Sequence, residues 1–197
     1  MTTIPPLTPQ PQVQAFLATR RSRPSKTLRT PAPDAAALTP ILTAALRVPD
    51  HGKLEPWRLL VMQGAALTRL AEMTVDLGTR QGRDADKLTK AHAMFAESPL
   101  IVAVVASPKA SDKIPEVEQT LSAGALCLGL VNAAQAAGWG ANWLSGWMAT
   151  DRDWLSAGLS LADTEWVAGF IVLGTETAVP PDRPRPDLDA ITTWVDA

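Results

Sequence analysis

Residues 116 to 146 read EVEQTLSAGALCLGLVNAAQAAGWGANWLSG, and the architecture is best read outward from them. Glu116 to Ala137 is the longest helical candidate in the chain. Its Gly, Ala and Ser content lets another helix approach closely, which suits a central core helix and a helix at a subunit interface equally well. Gly138 and Gly140 then interrupt it. The small residues around Trp143 read either as a Gly-rich turn feeding a buried strand or as open backbone against which a flat ligand could lie.

On the N-terminal side, LIVAVVAS (100–107) is a short, continuous apolar run of the kind found in strands covered on both faces. Trp57 to Met62 reads as another buried strand, and WVAGFIVLGT, from Trp166, as a third beyond the central segment. Val13, Phe16 and Leu17 keep helical spacing up to Arg20 and Arg21, where SRPSKT breaks it. A second helix starts near Asp34, a plausible N-cap, and shows Leu38, Ile41, Leu42, Ala45 and Leu46 on one face before Pro49 stops it. Ala65 to Leu77 returns to helical spacing, and the polar run Thr79 to Lys90 reads as solvent-facing helix and loop. The tally is about four strands among roughly six or seven helices, with few hairpin signals, which makes an α/β or α+β sandwich. Four prolines after Val179 keep the tail (179–197) from regular helix or central strand, so it should lie extended over a surface.

The chain has 197 residues and no composition shift in its middle, which points to one domain over 1–197 with a Pro-rich leader at 1–12. At 46% hydrophobic, 19% charged and a net charge of −2, it belongs to the ordinary globular class. The basic residues are scattered outside Arg20, Arg21 and Arg23, so a nucleic-acid partner is not expected and a single phosphate is a better ligand. No run approaches the roughly 20 apolar residues of a membrane span, and the N-terminus lacks a secretory pattern, which makes the cytoplasm the expected compartment. Cys127 is the single cysteine and His51 and His92 the two histidines, which argues against a disulfide framework and against a metal site. GALCLGL surrounds the thiol with apolar residues and marks it as structural.

No GxSxG elbow, P-loop or GxGxxG is present. Three short clusters carry the ionisable and aromatic chemistry: RRSRPS (20–25), RVPDHGKLEPW (47–57) and GWGANWLSG (138–146). Paired arginines at a helix end either grip a phosphate through charge-assisted bonds, with Ser22 adding a hydroxyl, or simply complement the helix dipole. The connector holds more charge than its turn residues Pro49, Asp50 and Gly52 require.

In order and spacing, RRS (20–22), RVPDH…PW (47–57), EQTLSAG (118–124), GWGANWLSG (138–146) and VAGFIVLGT (167–175) resemble the nitroreductase family of flavin enzymes, and its small branch with an APDH-type loop. The resemblance implies an α+β nitroreductase-like sandwich, with a central mixed sheet of about four to five strands flanked by helices. It also implies a homodimer with FMN bound at the interface. Arg20, Arg21 and Ser22 would hold the phosphate and ribityl end, Arg47 and His51 would approach from the connector, and Trp143, Leu144 and Ser145 would line the flavin. Ala133, Ala134, Gln135, Ala136, Ala137 and Gly138 match a segment implicated in nicotinamide nucleotide binding.

The implied activity is a ping-pong relay of hydride from NADH or NADPH through FMN to a small-molecule acceptor, a nitroaromatic, quinone or similar compound. No residue of the chain need act as a nucleophile, since the flavin carries the chemistry. Alternatives on the same scaffold are a flavin carrier or redox sensor, and a specialised dehydrogenase or dehalogenase. Two positions depart from the branch, Leu144 where Arg is common and Glu55 where Gln is common; Lys53 is expected to compensate.

Overall fold

In the computed structural model the chain runs α1 (Pro11–Thr19), β1 (Leu28–Arg29), α2 (Ala35–Ala45), β2 (Trp57–Met62), α3 (Ala65–Arg80), α4 (Ala85–Ala96), β3 (Leu100–Ala106), α5 (Glu116–Ala136), β4 (Gly140–Leu144), α6 (Arg152–Leu159), β5 (Trp166–Glu176) and α7 (Leu188–Ile191). Single 3-10 turns lie at Ser25–Thr27, His51–Lys53 and Trp147–Ala149. The structure describes residue 4 and residues 6–196; residues 1–3 and 5 of the expected leader and residue 197 of the tail lie outside the described residues.

The strands form one five-stranded sheet in the order β1-β5-β3-β2, with β4 also paired to β5. β3 and β4 both pair with Phe170–Leu173 and therefore take opposite edges of β5. The expectation of a mixed sheet needs correction at the level of neighbours, because all four ladders among the described residues are antiparallel. The reason lies in the connections. The α3–α4 pair carries the chain out and back, so β3 starts beside the end of β2. Helix α5 crosses only once, so β4 runs in the same direction as β3, but β5 separates the two.

Period-two alternation on β3 divides the core into two layers. Ile101, Ala103 and Val105 face a cluster with Leu70, Phe95, Trp154 and Phe170. Leu100, Val102 and Val104 face the other layer, built on Leu38 and Ile41 of α2 and Leu126, Cys127, Leu130 and Ala134 of α5. In the first layer Phe95 stacks on Trp154 at 5.3 Å, and Phe170 meets both edge-on at 5.5 and 6.0 Å. The Trp154 indole N–H donates to Thr74 Oγ1 at 2.8 Å, and that hydroxyl donates in turn to the Leu70 carbonyl at 2.6 Å, so neither buried polar group is orphaned.

Helix α5 has two faces. Ala123, Leu126, Cys127, Leu130 and Ala134 are buried, whereas Val117, Leu121 and Leu128 form an apolar stripe 62%, 67% and 47% exposed. Burial pushes the Cys127 thiol up to about 12, which keeps it protonated and inert. Asp34 caps α2 as expected, accepting from the Ala37 N–H at 2.8 Å. The tail is extended except for one turn of α-helix, α7, which corrects the expectation of no regular helix there: the prolines end at Pro186, and Asp187 caps the turn by accepting from the Asp189 N–H. None of the described helices is long and apolar enough to cross a membrane.

Arg58 on β2 ties the sheet to the loop before β5, donating to both oxygens of Glu165 at 2.7 and 2.8 Å. Hydrogen bonding from Arg58 holds the Glu165 carboxyl down at about 2, against an ordinary 4.5. A carboxyl depressed in the folded state stabilises the fold above its ordinary value, and that contribution is lost as pH falls toward the folded value. Unfolding free energy should therefore decline with a Glu165-dependent slope between pH 4.5 and about 2. In Glu165→Gln, urea melts across this window should show a shallower decline.

Candidate functional site

Helix α1 ends at Thr19, and the three residues beyond it, Arg20, Arg21 and Ser22, turn back beneath the last turn of α5. Gln135 of that turn holds them: its Oε1 accepts from Arg20 Nε at 3.2 Å, and its Nε2 donates to the Arg21 carbonyl at 2.9 Å. A further guanidinium N–H of Arg20 donates to Ser22 Oγ at 3.3 Å. The Pro-rich tail then returns over the same place, fastened by Arg185, which donates to the Ala18 carbonyl at 2.8 Å. The result is a cavity of about 280 Å³ whose lining includes Arg20, Arg21, Ser22, Arg183 and Arg185.

These cations outnumber their counter-ions. Partial burial, then Arg21, Arg185 and Arg23, holds the Arg20 guanidinium below its ordinary value. Arg21 Nε is buried with no hydrogen-bond partner among the described residues. A cavity with this charge and an unused buried donor is suited to a dianion with several acceptor oxygens. Arg183, Arg185 and Gln135 were not identified from sequence as part of this group. The RPRP repeat of the tail was the available signal, but nothing local says where an extended tail comes to rest.

From this cavity the chain runs along the outer edge of β4, where Arg23 N–H donates to the Ala141 carbonyl at 3.0 Å. Beyond lies a second cavity of about 760 Å³, lined by Leu144 and Ser145 together with Lys26, Lys87, Met94 and Trp147 among others. Trp143 is 40% exposed, and its indole N–H donates to the Ala168 carbonyl at 3.2 Å. Gly169 makes this possible, since a Cβ there would collide with the Trp143 indole and come within 2.8 Å of Cys127 Sγ. Arg83 departs from the expectation of a solvent-facing helix and loop. It pairs with Asp151 at 2.7 Å and lies 4.0 Å above the Trp147 ring, which closes one side of the larger cavity.

The connector is held apart from both cavities. Arg47 and His51 are exposed, and neither lines the cavity of Arg20–Ser22 or that of Leu144–Ser145. His51 Nδ1 lies 2.7 Å from Glu118 Oε2 at the start of α5. The backbone here is unusual, with Gly52, Lys53 and Glu55 all at positive φ, 68°, 54° and 48°. The Asp50 carboxylate steadies that turn by accepting from the Leu54 and Glu55 N–H groups at 3.2 and 2.9 Å. One chain alone therefore brings together Arg20, Arg21 and Ser22, and separately Leu144 and Ser145; Trp143 points to the other face of the sheet, against Gly169 and near Gly124 of α5, and lines neither cavity, and Arg47 and His51 join neither group.

Within Ala133–Gly138, Ala134 is fully buried in the core and closed to any visiting nucleotide. Gln135 is engaged with the arginine loop, and Ala136, Ala137 and Gly138 are exposed. Among the described residues no group of three or more His, Cys, Asp or Glu side chains is placed to hold a metal ion.

Comparison with known proteins gives a consistent result. The sequence profile of the Nitroreductase family matches residues 17–175. YdjA of Escherichia coli K12 is 33% identical over 160 residues, covering 81% of this chain and 86% of its own, and bears an NAD(P)H nitroreductase name. A Haemophilus influenzae protein of similar name is 36% identical over 168 residues, with the same coverage. Among solved structures, a nitroreductase-like family protein from Bacillus cereus superposes with a TM-score of 0.81 over 100% of both chains at 19% identity. A Desulfovibrio desulfuricans structure in complex with FMN superposes with a TM-score of 0.70, covering 96% of this chain and 100% of that one at 22% identity.

Proposed function

Since the chain belongs to the nitroreductase family, we propose that it is an FMN-dependent oxidoreductase that takes hydride from NADH or NADPH and passes it to a nitroaromatic, quinone or similar small acceptor. The observation that carries the reading is the arginine-lined cavity with its unused Arg21 donor, with the larger cavity at Leu144–Ser145 lying farther along the same chain segments, residues 20–26 and β4. Arg20, Arg21, Arg183 and Arg185 would hold the phosphate of FMN, with Ser22 beside it. Leu144 and Ser145 would line the ring, in a cavity whose lysines offer positive charge and whose Met94 and Trp147 offer apolar surface, whereas Trp143, 40% exposed on the α5 side of the sheet, would meet the flavin only from that other face. When bound, FMN supplies an acceptor and donor of hydride, and the chain's own task is to anchor it, orient it and leave one face open.

The separation of Arg47 and His51 from both cavities supports a site completed by a second copy of the chain. So does the exposed stripe Val117, Leu121 and Leu128 on α5, which has the helical spacing of an interface face. On this reading α5 is both a core helix and an interface helix. Ala136, Ala137 and Gly138 remain the accessible part of the proposed nicotinamide segment.

The test is anaerobic. Protein loaded with FMN should bleach when NADH or NADPH is added and regain its colour with a nitroaromatic or quinone. Its mass in solution should be twice 21.0 kDa. Protein that takes up no FMN overturns the reading. Bleaching without recovery on any nitroaromatic or quinone replaces it with a specialised dehydrogenase or a sensor.

A further inference from the structure

The motif EQTLSAG (118–124) opens α5, and three of its polar side chains reach adjoining loops rather than the helix itself. Gln119 clasps one loop, accepting from Lys109 N–H at 2.8 Å and donating to the Lys109 carbonyl at 2.9 Å. Ser122 and Glu118 both clasp the connector. Ser122 Oγ donates to the Pro49 carbonyl at 2.7 Å and accepts from the Trp57 indole N–H at 3.0 Å, so it grips the connector at its two ends. Glu118 Oε2 takes His51 between those ends, at 2.7 Å from Nδ1.

The clasp acts on a backbone that would otherwise relax. Lys53 and Glu55 are non-glycine residues at φ 54° and 48°, a conformation that persists only where the surroundings impose it. His51 lies immediately before this strained turn, so its direction depends on what holds it. The chemistry of the contact also decides its proton. An ionised carboxylate can only accept a hydrogen bond, so Nδ1 must carry the proton. In the neutral ring Nε2 is then a bare acceptor, on a side chain 61% exposed in the single chain.

We infer that Glu118 is a positioning residue for the cofactor: it fixes His51 as the Nδ1–H tautomer and aims an accepting Nε2 at a hydroxyl or imide N–H of FMN. The division of labour with the arginines follows. Phosphate oxygens are acceptors and need donors, which Arg20 and Arg21 supply, whereas the ribityl hydroxyls and the imide N–H can donate to a fixed imidazole lone pair. This inference rests on the reading that His51 meets FMN. It extends that reading to a residue that touches the cofactor only through another.

The tautomer can be observed directly by long-range ¹H–¹⁵N correlation NMR of the FMN-loaded protein above the titration range of histidine. With only His51 and His92 present, His92→Gln assigns the signals. Wild type should show His51 protonated at Nδ1, and Glu118→Ala should shift it to Nε2–H. FMN affinity should fall about tenfold in Glu118→Ala, stay within about threefold of wild type in Glu118→Gln, whose amide oxygen still accepts, and change less than about twofold when Glu118→Ala is added to His51→Ala. The thermal midpoint should not move, since exposed pairs of this kind contribute little to stability.

A wild-type Nε2–H signal overturns the inference. So does an undiminished effect of Glu118→Ala in the His51→Ala background, because the residue would then act on the fold and not through the imidazole. Either result with intact FMN binding leaves the flavin reading standing, whereas wild-type protein that binds no FMN overturns both together.

Discussion

Arg20→Ala is expected to raise the dissociation constant for FMN by about ten- to a hundredfold, the equivalent of about 1.5–3 kcal/mol for a hydrogen bond to a charged group. Arg20 is expected to matter most because it is held twice, by Gln135 at 3.2 Å and by Ser22 at 3.3 Å, and so meets its ligand with little freedom left to lose. It is also the arginine most burdened by its surroundings, through burial and then through Arg21, Arg185 and Arg23. A dianion would relieve that repulsion. Arg185→Ala should act in the same direction and also loosen the tail, since Arg185 fastens it to Ala18.

The control is Arg80→Ala, an exposed residue at the end of α3, which should leave affinity unchanged. Arg83 is unsuitable as a control because its pairing with Asp151 and its place over Trp147 make it part of a cavity wall. Titration of apoprotein with FMN at constant salt, followed by flavin fluorescence, measures each change. Equal losses for Arg20→Ala and Arg80→Ala would put the phosphate elsewhere.

Trp154→Ala should destabilise the fold by about 3–5 kcal/mol, the range for removing a large aromatic from a packed core. Trp154 is fully buried, stacks on Phe95, meets Phe170 edge-on and donates to Thr74. Truncation therefore removes apolar contacts on several sides and a satisfied donor, in a domain whose whole stability is expected to be about 5–15 kcal/mol. Trp154→Phe separates these terms. It keeps most of the ring and drops the indole N–H, and should lose about 1–2 kcal/mol. Urea unfolding of both variants distinguishes them, and a loss below about 1 kcal/mol for Trp154→Ala would mean that this layer is not tightly packed.

The elements most readable from sequence were those whose reason is local. LIVAVVA is apolar at every position because both of its faces are covered, and it forms β3 with all seven residues buried. Asp34 precedes an apolar stripe and caps α2. Cys127 lies among apolar neighbours and is buried. The parts missed have distant causes. Gln135 is 115 residues from Arg20 and Arg185 is 167 from Ala18, so no window of sequence shows either contact. The direction of neighbouring strands depends on whether one helix or two intervenes and on which strand is inserted between them, and only the second of these is invisible in the pattern.

By itself the sequence left β1, α6 and α7 unread and β4 open, but it determined the helices α1, α2, α3 and α5 and the strands β2, β3 and β5, which of their faces would be apolar, and which short motifs carry charge. Those follow from side-chain periodicity, capping and turn chemistry, all of which act over a few residues. Only the tertiary structure decided that four arginines from the two ends of the chain converge on one cavity, that Arg83 is bound rather than solvated, and that Glu118 holds His51. Convergence of like charges is unfavourable locally and is tolerated only because the fold, through Gln135 and the returning tail, imposes it. That imposed repulsion is what a bound phosphate would relieve.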